Sequence, residues 1–287
     1  MAKKTERPKL VAKDFKSHVK PTWCPGCGDY GVLASLYQAM ARLQLDPART
    51  VVVSGIGCSG RLPFFVHTYG FQTAHGRVLP VATGVKLANP DLTVIAVGGD
   101  GDGFSIGGNH LAHAVRRNPG ITYVVMDNEV YGLTKGQTSP TSPLGLKTKS
   151  TPAGSSDVPV NPMALVLASG VSYAARGFSG DPRGLTDLIV DGIQHPGFAF
   201  IQTMSPCPTF YNTFDLWRPK IEPLPEDHDP ADRGQALAQS FRDDAMPVGV
   251  FYRQARPTLE SHIRVTNHPF KAGAREFDVR SLLETYR

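Results

Sequence analysis

The sequence predicts an α/β fold, a parallel sheet with helices on both faces. Three observations point to it. Five short apolar runs rich in β-branched residues recur along the chain: TVVVS (50–54), LTVIAV (92–97), ITYVVM (121–126), VSYAA (171–175) and FAFIQT (198–203). Helical candidates lie between them. The runs are nearly all apolar rather than alternating, as strands buried on both faces require.

The elements follow in order. Residues 1–20 carry seven of the 30 Lys and Arg (Lys3, Lys4, Arg7, Lys9, Lys13, Lys16, Lys20) against Glu6 and Asp14. The remaining charges cancel, so the net charge of +5 sits on a basic extension of a neutral body. That extension suits solvation or an acidic partner protein. No basic stripe with interleaved aromatics follows, which argues against nucleic acid. An expected helix starts at Asp29 as its cap and buries Leu33, Leu36, Tyr37, Met40 and Leu43 before Pro47 ends it. Further helices are expected near 80–88, 106–117, 162–169 and 182–194. Residues 135–160, rich in Ser, Thr, Pro and Gly, read as a linker or lid. Beyond about 208 the strand–helix rhythm stops. Apart from a short helix near 235–243, residues 213–287 read as an extended tail that wraps the domain or a partner subunit. This leaves 21–212 as the folded domain.

No run of about 18 apolar residues exists, and the N-terminus lacks the apolar core of a secretory signal. The expected location is therefore the cytoplasm, where thiols stay reduced. Four cysteines there suit metal or redox chemistry.

In doubly wound sheets ligands sit beyond the carboxyl ends of the strands. Residues 55–60, 98–103 and 127–134 occupy those positions. Cys24 and Cys27 form CPGC, Cys58 lies in GIGCSG, and Cys207 lies in SPCP. Four thiolates suit tetrahedral zinc or a [4Fe–4S] cluster, and one pair plus two single cysteines favours the cluster. Buried thiols without metal, or a redox disulfide that leaves Cys58 and Cys207 idle, are the alternatives. Gly98-Gly99-Asp100-Gly101-Asp102-Gly103 follows the second run, and Asp127-Asn128 follows the third. Glycines let the backbone approach a diphosphate, and a carboxylate with an amide oxygen can hold Mg²⁺. Two rival motifs fail. An EF-hand starting at Asp100 would have Leu111 where it needs Glu. Gly55-x-Gly57-x-x-Gly60 has no acid from Thr50 to Pro90 to bind a ribose. His110 and His113 share a helix without a carboxylate and read as packing residues.

The interval of 26 residues between Gly101 and Asn128 resembles the thiamine diphosphate fingerprint GDG…N. That resemblance implies Mg²⁺ held by Asp100, Asn128 and the carbonyl of Val130. A thiamine carbanion beside a one-electron iron–sulfur acceptor amounts to oxidative decarboxylation of a 2-oxo acid. Through WCPGCGDYGVL, SGIGCSGR, TAHGRVLPVATGVKLANP, GGDGDGFSIGGNHLAHAVRRN, DNEVYGLTKGQTSPTSP and SPCPTF, residues 18–212 resemble the β subunit of 2-oxo-acid:ferredoxin oxidoreductases. The resemblance implies that Cys24, Cys27, Cys58 and Cys207 ligate [4Fe–4S]. It also implies that Ile56, Gly57, Cys58, Ser59 and His75 line the cofactor site. Gly101, Asp102, Gly132 and Leu133 would contact thiamine diphosphate, with Leu133 propping its bent shape.

The glutamate that activates the aminopyrimidine belongs to a separate domain in that superfamily, and this chain has room for only one αβ domain. An α subunit supplying the glutamate is therefore expected, as an (αβ)₂ assembly, with ferredoxin, CoA and a 2-oxo acid as further partners. Lys135 stands where pyruvate-type members tend to have glycine. Lys135, with Arg61 as a second candidate and His75 beside the cofactor, could meet the extra carboxylate of 2-oxoglutarate. The expected substrate is therefore 2-oxoglutarate. Pyruvate or another 2-oxo acid is the alternative, and a non-catalytic zinc-stabilised scaffold the second.

Overall fold

A computed structural model of the protein describes residues 8–263. Lys3, Lys4 and Arg7 of the basic extension, and residues 264–287 of the expected tail, lie outside the described residues. The strands are β1 (Thr50–Ser54), β2 (Tyr69–Gln72), β3 (Thr93–Gly99), β4 (Ile121–Asp127), β5 (Val130–Tyr131), β6 (Gln137–Thr138), β7 (Tyr173–Phe178), β8 (Ala199–Met204), β9 (Ile221–Pro223) and β10 (Met246–Arg253). The helices are α1 (Asp29–Arg42), α2 (Val78–Ala88), α3 (Asp100–Phe104), α4 (Gly108–Arg117), α5 (Pro162–Ala168), α6 (Pro182–Gln194), α7 (Phe214–Trp217), α8 (Arg233–Ser240) and α9 (Leu259–His262).

Eight strands form one sheet in the order β2-β1-β3-β4-β8-β7-β10-β9, and β5 and β6 form a small hairpin. The first six run parallel, while β10 pairs antiparallel with β7. Alternation along the strands divides the core in two. Val51, Val53, Tyr123, Val125 and Phe200 face Leu79, Leu111, Val115 and Met163 on one side. Val52, Ile95, Val124 and Ile201 face Leu36, Met40, Leu185 and Ile189 on the other. Helices thus cover both faces, as the uniformly apolar strands require. Among the described residues no helix is long and apolar enough to cross a membrane.

Five strands escape the sequence pattern: the very short β5, β6 and β9, and the longer β2 and β10. YGFQ (β2) is exposed along its whole length and exists because β1 offers it an edge. Met246–Arg253 (β10) lies past the strand–helix rhythm and carries a bulge between Val250 and Tyr252. Residues beyond 212 thus extend the sheet at the β7 edge.

Asp29 does not cap α1. It sits inside the first turn, buried, and accepts a hydrogen bond from Ser205 Oγ at 2.8 Å. His113 faces solvent beside Arg116 rather than packing.

Asn118 ties the lower end of the sheet together. It ends α4 in the left-handed conformation (φ 55°). Its Oδ1 accepts from Ser172 Oγ (2.6 Å) and Phe198 N (2.9 Å), and its Nδ2 donates to the carbonyls of Arg256 and Pro257. Asn118→Ala removes these bonds, strands buried partners and places alanine in a strained backbone. The expected loss is about 2–4 kcal/mol in denaturant unfolding. A loss below about 0.5 kcal/mol contradicts this assignment.

Candidate active site

A cavity of about 330 Å³ opens at the carboxyl ends of β1, β3 and β4, where a doubly wound sheet places its ligand. Its wall includes Ile56, Gly57, Cys58, Ser59 and His75 from the segments after β1 and β2. Gly99, Asp100, Gly101 and Asp102 enter from the β3–α3 junction. Asn128, Val130, Tyr131, Gly132 and Leu133 complete it from the β4–β5 turn. Lys135 and Arg61 are not in this wall.

The β3–α3 junction is built for close approach. A Cβ on Gly101 would stand 2.2 Å from the Tyr131 ring, and the Tyr131 hydroxyl donates to the Gly101 carbonyl at 3.3 Å. The first-turn N–H groups of α3 have no partner inside the helix, which suits them to an anion. Asp102 does a different job from its neighbours. Its Oδ1 accepts from Ile56 N (2.9 Å) and Gly76 N (2.8 Å) and pairs with His75 Nδ1 (2.9 Å). The carboxylate therefore clamps two loops together and fixes the His75 ring. Its contact with a cofactor can come only through the backbone or the remaining oxygen, which is buried without a partner.

Asp100 is 2% exposed and Asp127 is 1% exposed. The single hydroxyl of Thr141 stands 2.8 Å from Asp100 Oδ2 and 2.9 Å from Asp127 Oδ1. It has one hydrogen for two carboxylates. Burial first, and then the charge of Asp127, push the Asp100 carboxyl up to about 7. Burial and the charges of Asp127 and Asp100 push Glu129 up to about 9. Gln202 donates to Asp127 Oδ2 at 2.9 Å and accepts from Arg176 Nε at 3.1 Å, so a buried guanidinium counters Asp127 through one amide. Asn128 Oδ1 meanwhile accepts from Val130 N at 3.1 Å, which fixes the turn. A divalent cation fits this donor set: a buried, electron-rich oxygen cluster whose Asp100 carboxyl burial and Asp127 push upward.

The four cysteines are all free. CPGC folds as a tight turn, with Cys27 N donating to Cys24 O (3.1 Å), and docks onto SPCP through Gly28 N to Pro206 O (3.0 Å). A Cβ on Gly132 would lie 3.7 Å from each of Cys58 Sγ, Cys207 Sγ and Asn128 Nδ2. Burial and then the Asp29 carboxylate push the Cys58 thiol up to about 11, with Cys207 adding to the rise and Arg61 opposing it. Burial raises Cys27 too, again with contributions from Asp29, Cys58 and Cys207. The thiols therefore sense one another, and a positively charged inorganic centre would relieve them. Among the described residues no three His, Cys, Asp or Glu side chains converge as ligands of a single ion.

Arg61 turns away from the cavity, its Nη1 donating to Thr22 Oγ1 at 3.1 Å, because the 3₁₀ segment Ser59–Phe65 directs it toward the cysteine side. Lys135 is exposed at the tip of the β5–β6 turn, with φ 77°. Thr141, Gln202 and Arg176 carry no local signal of a role, and the signals at Asp127 and Asp29 do not reveal these contacts. Only the fold brings them to the site.

The comparisons agree with this architecture. A model described as the thiamine pyrophosphate enzyme C-terminal TPP binding domain matches residues 55–203. A second, described as the C-terminal part of the pyruvate ferredoxin oxidoreductase beta subunit, matches 207–268. The 2-oxoacid:ferredoxin oxidoreductase subunit beta of Saccharolobus solfataricus is 44% identical over 247 residues, 80% of this chain and 81% of that one. The 2-oxoglutarate oxidoreductase subunit KorB of Mycobacterium tuberculosis is 46% identical over 215 residues, 75% of this chain and 57% of its own length. A solved structure of 2-oxoglutarate:ferredoxin oxidoreductase from Magnetococcus marinus, with 2-oxoglutarate, coenzyme A and succinyl-CoA bound, superposes with a TM-score of 0.89 at 42% identity. It covers 99% of this chain and 98% of that one. The chain, built on a thiamine pyrophosphate-binding domain, belongs to the beta-subunit family of the 2-oxoacid:ferredoxin oxidoreductases.

Proposed function

We propose that the protein is the beta subunit of a 2-oxoglutarate:ferredoxin oxidoreductase. With its alpha subunit it turns 2-oxoglutarate, CoA and two oxidised ferredoxins into succinyl-CoA, CO₂, two reduced ferredoxins and a proton, or runs the reverse. One observation carries this reading. The turn at Gly132 stands between Asn128, of the metal-type pair, and the sulfurs of Cys58 and Cys207. The chemistry that makes a carbanion and the chemistry that accepts its electrons thus share a wall. The names of the M. tuberculosis and M. marinus relatives support 2-oxoglutarate as substrate.

Each residue then has a role. Asp100, Asn128 and the Val130 carbonyl hold Mg²⁺, and the α3 N-terminus receives the diphosphate. Leu133, exposed at the cavity mouth, props the bent cofactor, while Asp102 orients His75 beside it. When bound, thiamine diphosphate supplies an electron sink for the 2-oxo acid, and a [4Fe–4S] cluster on Cys24, Cys27, Cys58 and Cys207 takes electrons singly. These four cysteines would hold such a cluster rather than one zinc ion, since among the described residues no three His, Cys, Asp or Glu side chains converge on a single ion. The alpha subunit brings the glutamate that this chain lacks, in an (αβ)₂ assembly. Arg61 favours the Cys58 thiolate rather than meeting substrate. Lys135, exposed and next to the lining residue Thr134, is assigned to the substrate's second carboxylate. Lysine in a left-handed backbone costs about 1–2 kcal/mol that glycine would avoid, which supports a side-chain role.

Three measurements test this. The complex purified anaerobically should be brown and hold about four iron and four sulfide per beta chain, reduced or lost in Cys58→Ser. A colourless, zinc-loaded preparation contradicts the reading. Thr141→Val should weaken Mg²⁺–thiamine diphosphate binding about 10–100-fold by calorimetry, with Thr141→Ser close to wild type. Equal affinity in Thr141→Val would remove Thr141 from the site. Lys135→Ala should raise KM for 2-oxoglutarate about tenfold or more while leaving monocarboxylic 2-oxo acids unaffected. Unchanged 2-oxoglutarate turnover favours the pyruvate-type alternative.

A further inference from the structure

We infer that a basic groove beside the cysteine site is the docking surface for a small, acidic electron-carrier protein. The inference rests on the reaction proposed above. The groove encloses about 470 Å³, and its lining includes Lys13, Lys16, His18, Lys20, Tyr30 and Tyr37. The three lysines and His18 are exposed, and among the described residues no acidic one is in the lining. Asp14, the nearby acid of this segment, spends its carboxylate on Val11 N at 2.8 Å. Apolar surface lies among these charges. Val19 and Tyr30 are each 38% exposed, and the adjoining Phe64 is tied in by Ser17 Oγ on its carbonyl (2.6 Å). Exposed apolar groups ringed by one sign of charge suit a short-lived encounter, in which charge steers and a small dry contact orients.

Position makes the partner an electron carrier rather than any acidic protein. Cys24 is exposed four residues after Lys20. The Tyr30 hydroxyl donates to the Trp23 carbonyl at 3.2 Å, and its ring meets the Trp23 ring edge-on at 5.4 Å. Trp23 Nε1 in turn donates to the Cys58 carbonyl at 2.7 Å. One buried aromatic therefore separates the groove from the thiols. Each docked carrier takes one electron from the centre that the cysteines hold and leaves reduced by one. Two carriers per 2-oxo acid balance the reaction above.

The test uses the reconstituted assembly of both subunits with 2-oxoglutarate and CoA. It compares a purified acidic [4Fe–4S] ferredoxin with methyl viologen as acceptor. In K16E/K20E the KM for ferredoxin should rise about tenfold or more at low salt, a gap that narrows at high salt. The kcat with methyl viologen should stay within about twofold of wild type. Ferredoxin kinetics equal to wild type overturn the docking surface. So does loss of the alpha subunit from the variant on gel filtration, since the groove would then be the subunit interface. Wild-type enzyme that reduces neither acceptor points instead to failure of the proposed reaction.

Discussion

Negative charge held out of water at the ends of three parallel strands is the constraint on which the rest of the structure depends. Asp100 lines the cavity with Asp127 and Glu129 close behind it, Asp29 lies beside the thiols, and Arg176 counters Asp127. Burial is the main cause that lifts each carboxyl above its usual range, and the neighbouring acids add to the rise at Asp100 and Glu129. The divalent ion and the iron–sulfur centre proposed for this site would offset that shift. The fold thus gathers buried carboxyls and thiols around one cavity, where a positive centre would relieve them.

The scaffold that holds these groups is ordinary. Uniformly apolar strands buried on both faces give a parallel sheet, and a parallel sheet places several loops at one edge. What is specific is how the loops are cross-tied. Asp102 holds the β1 and β2 loops to α3, Thr141 holds the long 135–160 segment to the two central carboxylates, and Ser205 holds the SPCP turn to α1 through Asp29. The Ser- and Pro-rich segment is thus stitched in place. Ser142 Oγ also reaches the Glu129 carbonyl, and Val160 N donates to Pro140 O at 2.8 Å.

Local pattern carried much of this. The five apolar runs mark β1, β3, β4, β7 and β8 because two-sided burial leaves a strong local signature. Pro182 and Pro162 mark helix starts because proline fits a first helical turn. The cavity at residues 55–59, 99–102 and 126–134 follows from topology once those strands are parallel. The remainder is non-local. β2 has no buried face, its Tyr69 and Phe71 standing exposed, and β10 needs the β7 edge to become a strand. Asp29 reads as a cap until Ser205, 176 residues away, claims it. Thr141 lies within a motif whose spacing says nothing of two carboxylates, and the direction of Arg61 depends on Thr22. Such positions are visible only when the chain has closed on itself.

The central claim is that a thiamine-bound 2-oxo acid and a cysteine-held iron–sulfur centre communicate across the wall at Gly132. Electron paramagnetic resonance of the anaerobic alpha–beta enzyme, frozen within seconds of adding 2-oxoglutarate without CoA, tests it most directly. The account predicts that the substrate alone delivers an electron and produces a reduced-cluster signal. Cofactor-loaded enzyme that consumes 2-oxoglutarate while its iron stays oxidised would contradict it.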